Sequence, residues 1–193
     1  MSLNVGAKET RLATINVDVE RRRGLDAICS VTHLPFKSGC FLSVLFADVI
    51  EHLPRQNVKP ALRELARTLH PSGRLLITTP NKRLLYEILD PAWILRGHRH
   101  YSREDLRSSI FDTGLLIIKE GTFGLPIEIF YLLAMYSTYP IKVITRKYPD
   151  FLPKDDEKPD PFRRDDQGYT RYALACKNAR LENGEPVSGF TRR

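Results

Sequence analysis

Cysteine is scarce in this chain of 193 residues. Cys29, Cys40 and Cys176 are odd in number and far apart, which argues against a disulfide framework and against a CxxC metal or redox site. Three reduced thiols in a cytoplasmic protein are expected. No run reaches the roughly 18 apolar residues that span a bilayer. No N-terminal segment joins a basic start to an apolar stretch and a small-residue cleavage site. Export and membrane insertion are therefore not expected, and no internal repeat is present. Charge is not balanced: the formal net charge is +7 and the pI about 9.4. Such a surface suits an anionic partner, or is simply soluble.

The 42% hydrophobic content is enough for one core. A single domain over 1–177 is expected, with an insertion or lid and a polar excursion at 120–168 and a flexible tail at 178–193. Leu3 to Gly6 is a short apolar stretch ending in glycine, and Thr14 to Val19 alternates as a strand does. Leu25 to Cys29 predicts a third strand, and Phe41 to Phe46 a strand buried on both faces. Between Val58 and Leu69 apolar residues recur every three or four positions, which predicts an amphipathic helix stopped by Pro71-Ser72-Gly73. Arg74 to Thr79 predicts another buried strand. Ser102 and Asp105 have capping-box spacing ahead of a helix through Phe111 that Gly114 ends. Leu115 to Lys119 and Tyr169 to Cys176 read as the last strands.

Strands alternating with helices argue for an α/β domain with a mostly parallel sheet. Ligands on such sheets sit at the carboxyl ends of strands, here Gly6, Asp18, Ser30, Ala47 to Asp48, and Thr79 to Asn81. A glycine at the first of these lets backbone approach a ligand, with amide N–H groups facing its polar atoms.

Leu34-Pro35-Phe36, then Phe41, then Asp48-Val49-Ile50-Glu51-His52-Leu53, then Leu65-Ala66-Arg67-Thr68-Leu69-His70-Pro71-Ser72-Gly73-Arg74-Leu75 form an ordered set. In order and spacing this set resembles the small "type 11" class I S-adenosylmethionine-dependent methyltransferases over roughly Leu3 to Ile118. Arg99 to Leu106 is similar to that family's stretch before its sixth strand. The resemblance implies an open, Rossmann-like sheet with flanking helices and an antiparallel last strand, and S-adenosylmethionine as cofactor. It also implies roles: Gly6 at the cofactor loop, Asp18 on the ribose hydroxyls, Ser30 and Val31 beside adenine, Ala47 and Asp48 on the methionine side. Three positions depart from the family pattern. The loop after the first strand has one glycine, Ser30 stands where an adenine-reading Asp is common, and Leu42 replaces the Asp of "FD". Only Ala7 to Thr14 separate the first two strands, so the first crossover helix is missing or very short.

Bland readings stand beside these. Asp18 is a ribose ligand or a strand-end acid, Gly6 serves cofactor approach or a tight turn, and Lys8 pairs with the cofactor carboxylate or is solvated. Asp48, Glu51 and His52 have the spacing of metal ligands on a helical turn and resemble the metal segment of small-RNA 2′-O-methyltransferases and quinone-biosynthesis O-methyltransferases. Without metal they pack or cap. His52, His100 and Tyr101 are the candidate catalytic residues, with a structural role as the alternative. Leu125 to Tyr136 is apolar and aromatic: core helix, pocket for a lipid-like acceptor, homodimer contact or peripheral membrane contact. Three functions follow: methyl transfer to a small or lipid-like acceptor, a degenerate fold kept as a binding or assembly module, or RNA methylation, with nucleic acid the weaker partner.

Overall fold

A computed structural model describes residues 1–83, 99–124, 162–163 and 168–178. The candidate segment 125–136, most of the 120–168 insertion and nearly all of the 178–193 tail lie outside these residues. Eight strands form one sheet in the order β3-β2-β1-β4-β5-β8-β6-β7: β1 Ser2–Val5, β2 Ile15–Asp18, β3 Ala27–Ile28, β4 Phe41–Ala47, β5 Leu69–Pro80, β6 Leu115–Phe123, β7 Phe162–Arg163 and β8 Thr170–Lys177. Strands β1 to β5 are mutually parallel, and β8 runs antiparallel between β5 and β6. Among the described residues the helices are α1, Arg55–Thr68, and α2, Arg103–Ile110, with one 3-10 turn at Ile50–His52. The expected open α/β sheet with an antiparallel last strand is what forms.

Both described helices serve one face of the sheet. Leu3, Val5, Val17, Val44, Phe46, Leu75, Ile77, Ala173 and Ala175 alternate along their strands onto that face, and all are buried. They share one core with Val58, Ala61, Leu62 and Leu65 of α1 and Leu106 and Ile110 of α2. The opposite face carries the register row Asn16, Asn4, Leu45, Leu76, Leu174. No helix lies between β1 and β2, so a parallel crossover is made by Gly6 to Thr14 alone. Two buried asparagines on this face replace what a helix would supply. The Asn16 Oδ1 accepts from the Leu12 and Ala13 amides, its Nδ2 donates to the Ala13 carbonyl, and the Asn4 Nδ2 donates to the Thr10 carbonyl. A loop pressed on a sheet must have its backbone groups paired, and these side chains pair them.

Helix α1 starts three residues before the expected Val58, behind Pro54, and ends where Leu69 pairs with Phe41. Pro71-Ser72-Gly73 is therefore no stop. It is an excursion inside β5, since Leu69 pairs with Phe41 and Arg74 already with Ser43. The Ser102–Asp105 capping box forms as expected. The Leu34-Pro35-Phe36 loop and the Leu65-Ala66-Arg67 stretch are bonded to each other. Arg67 donates to the carbonyls of Leu34 and Phe36, while Glu64 accepts from the Leu34 amide and from Arg67. The hydrogen bonds from Arg67 and the Leu34 amide hold the Glu64 carboxyl below its ordinary range. That network gives a physical reason for the two motifs to occur together.

Candidate functional site

The chain order reverses between β1 and β4: β1 leads outward to β2 and β3, and β4 leads the other way to β5. Crevices at such switch points hold ligands, because the connections diverge and leave strand ends open. Gly6 follows β1 and Asp48 follows β4, and Val5 pairs with Phe46 just below them.

Gly6 has φ +74°, and a Cβ there would lie 2.3 Å from Val49 Cγ2. The glycine is thus required by packing of the β4 end against the β1 end, as well as by its backbone conformation. The first three loop amides are turned to β2. Gly6 and Ala7 both donate to the Val17 carbonyl, and Lys8 donates to Asp18 Oδ2 at 2.9 Å. The expected presentation of amide N–H groups to a ligand is therefore corrected: those of Gly6, Ala7 and Lys8 are spent on β2, which anchors a crossover that has no helix.

Asp18 ends β2 and is buried. Its Oδ2 takes the Lys8 amide and its Oδ1 the Glu20 amide at 3.0 Å. Each carboxylate oxygen has two acceptor sites, so one on each oxygen is left for a diol. Cys29 lies within range of this charge. Its thiol pKa is raised by burial and then by Asp18. After β3, Ser30 is exposed and bonds with Thr32, whereas Val31 is buried in the core.

At the end of β4, Ala47 is half-buried and Asp48 is exposed with φ +52°. A non-glycine residue there costs of order 1 kcal/mol, and Asp tolerates it better than most. Two β5 threonines hold the acids that follow. Thr78 Oγ1 donates to Asp48 Oδ1 at 3.0 Å, and Thr79 Oγ1 donates to Glu51 Oε2 at 3.2 Å. Glu51 is 3% exposed. Burial, followed by the nearby Asp48 charge, pushes its pKa up to about 8, and Lys8 opposes this weakly. Residue order alone did not single out Thr78 or link either threonine to an acid. The available signal was two hydroxyls at the end of a buried strand.

The metal reading of Asp48, Glu51 and His52 is corrected. Among the described residues no group of three His, Cys, Asp or Glu side chains could hold a metal ion. The single 3-10 turn buries Glu51 and leaves His52 exposed, so the two do not share a ligand-facing side. Of the other catalytic candidates, His100 and Tyr101 are buried. Tyr101 bridges to Asn81, exchanges backbone bonds with Pro80 and Lys82, and directs its hydroxyl to the Ile50 carbonyl. Burial raises its pKa. Arg171, a buried charge in β8 that sequence reading passed over, donates to the Tyr101 carbonyl and to Asn81 Oδ1.

Residues 8–77 match the family model described as a methyltransferase domain. The sequence likeness is confined to this segment, and over the rest of the chain the likeness is one of fold, that of S-adenosylmethionine-dependent methyltransferases. A SAM-dependent methyltransferase from Thermotoga maritima is similar at TM-score 0.64 and 18% identity, over 92% of this chain and 82% of that one. The [4+2]-cyclase SpnF is similar at TM-score 0.62 and 18% identity, over 91% and 73%. The Burkholderia thailandensis 1,6-didemethyltoxoflavin-N1-methyltransferase, solved with bound 1,6-didemethyltoxoflavin and S-adenosylhomocysteine, gives TM-score 0.56 and 12% identity, over 92% and 70%. These likenesses concern the fold. No curated protein matches the chain by sequence. Among the described residues, none of its helices is long and apolar enough to cross a membrane.

Proposed function

We propose that this chain binds S-adenosylmethionine at the crevice between β1 and β4 and transfers its methyl group to a small or lipid-like acceptor. The observation that carries the reading is Asp18: a buried carboxylate at the end of β2, fixed by two backbone amides and keeping one acceptor site on each oxygen. Asp18 takes the ribose hydroxyls, Ser30 and Val31 lie at the adenine side, and Ala47 and Asp48 border the methionine side. The cofactor supplies a methyl group already activated on a sulfonium, so the protein's work is alignment and exclusion of water. The burial of His100 and Tyr101 fits support of the β5 end, and no dedicated base is assigned. Calorimetric titration with S-adenosylhomocysteine tests the reading. Binding that Asp18→Ala weakens at least tenfold supports it.

A second reading is a binding or assembly module that has the fold without the transfer. Its support is the missing β1–β2 helix, together with a fold neighbour whose name is that of a cyclase. Cofactor binding without methyl transfer to any acceptor favours it. RNA methylation requires RNA affinity that falls steeply with salt, and a flat response counts against it.

A further inference from the structure

Glu51 has no part in the reading above, yet it is a carboxyl placed where a carboxyl is costly. It lies on the 3-10 turn directly after the left-handed Asp48, at the switch point, and is almost wholly buried. Thr78 and Thr79 are successive residues of β5, so their side chains leave opposite faces of the strand. Each holds one acid, which leaves Asp48 exposed at the rim and Glu51 buried behind it. Around Glu51 stand Asp48 on the β4 side, Lys8 on the β1–β2 loop and Tyr101 before α2. His52 follows it on the same turn. Across the sheet, Arg171 is paired in register with Thr79 and donates to Tyr101 and Asn81.

We propose that Glu51 is the counter-charge for the sulfonium of S-adenosylmethionine, so that the chain tells methyl donor from spent product by charge. The inference rests on the cofactor reading above. In the empty protein, burial and Asp48 keep Glu51 protonated at neutral pH, with a pKa of about 8. A fixed positive charge at the strand ends favours the carboxylate, and the proton leaves for solvent. S-adenosylhomocysteine has the same adenosine, amine and carboxylate but a neutral thioether, so it brings no such charge. Donor binding therefore releases a proton, and product binding does not.

The test is isothermal titration calorimetry of the full chain with each ligand at pH 7, in phosphate and in Tris. The two buffers differ in ionisation enthalpy and so report proton release. Donor binding is expected to release up to about 0.9 proton more than product binding. Donor affinity is expected to rise with pH between 6 and 8, by at most about tenfold per unit, while product affinity stays level. In Glu51→Gln the difference in release disappears, and retained binding of S-adenosylhomocysteine shows the variant to be folded. Donor binding with no excess release, or release that persists in Glu51→Gln, overturns the inference and leaves the cofactor reading intact. Absence of binding by either ligand overturns both.

Discussion

Glu51→Gln nearly preserves the shape of a buried side chain and an acceptor for Thr79 while removing its ionisation, so its effect on stability isolates one proton. The unfolded chain ionises Glu51 near 4.5 and the folded chain near 8. Between those values the folded state holds a proton that the unfolded state has lost. The contribution of Glu51 is thus fully present below 4.5 and is lost as pH rises through 8. One pKa unit corresponds to about 1.4 kcal/mol, which sets a ceiling of about 5 kcal/mol for the whole span. Relaxation and water entry around the new charge lower what is observed, and a change of about 2 kcal/mol between pH 5.5 and 8.5 is expected. Asp26, Glu64 and Asp105 have lowered pKa values, so their contributions fade at the acid end, outside this window. Urea unfolding of wild type and Glu51→Gln at four pH values across the window, followed by circular dichroism, reads the difference directly. The variant is expected to gain on wild type as pH rises. Parallel stability curves would refute the reasoning, because they would mean that the folded chain ionises Glu51 as readily as the unfolded one.

Gly6→Ala meets both the left-handed backbone and the Val49 side chain, and is expected to cost about 2–4 kcal/mol in chemical denaturation. Adding Val49→Ala should return the steric part and leave the backbone part, and a double-mutant cycle with no coupling would contradict the contact. Asn16→Ala leaves the Leu12 and Ala13 amides without their acceptor and should cost about 2–4 kcal/mol. Hydrogen exchange should quicken first at those two amides while β4 and β5 stay protected. Arg67→Ala removes the bonds to Leu34, Phe36 and Glu64 and should cost about 1–3 kcal/mol, and an unchanged urea midpoint would show that the loop holds without it.

The parts legible in the sequence were those fixed by local chemistry. The period of α1 showed through its apolar face, and Ser102 and Asp105 declared the start of α2. Asp18 and Gly6 were legible because a strand end next to an acid or a glycine needs no tertiary knowledge. What failed depended on pairing across the sheet. Pro71-Ser72-Gly73 has turn composition, yet Leu69 on its near side already pairs with Phe41, so the chain is in β5 before the turn begins. β6 continues to Phe123, beyond the expected Lys119, because β8 pairs with it along that length despite the polar Lys119-Glu120 and the glycine after them. Asn4 and Asn16 become neighbours only through the β1–β2 register. Their work for the helix-less crossover was invisible to a reading that looked for the helix. Glu51 was legible as a chemical group, and spacing offered it as a metal ligand or a packing residue, but its partner Thr79 is 28 residues away and was not legible from local order.

The central claim is that a crossover without a helix still builds a cofactor crevice around Asp18. Titration of the full chain with S-adenosylhomocysteine, beside Asp18→Ala shown to be folded by circular dichroism, tests it most directly. Saturable binding by wild type, weakened at least tenfold in the variant, is the predicted result. No heat at millimolar ligand, or equal affinity in the two proteins, would contradict it.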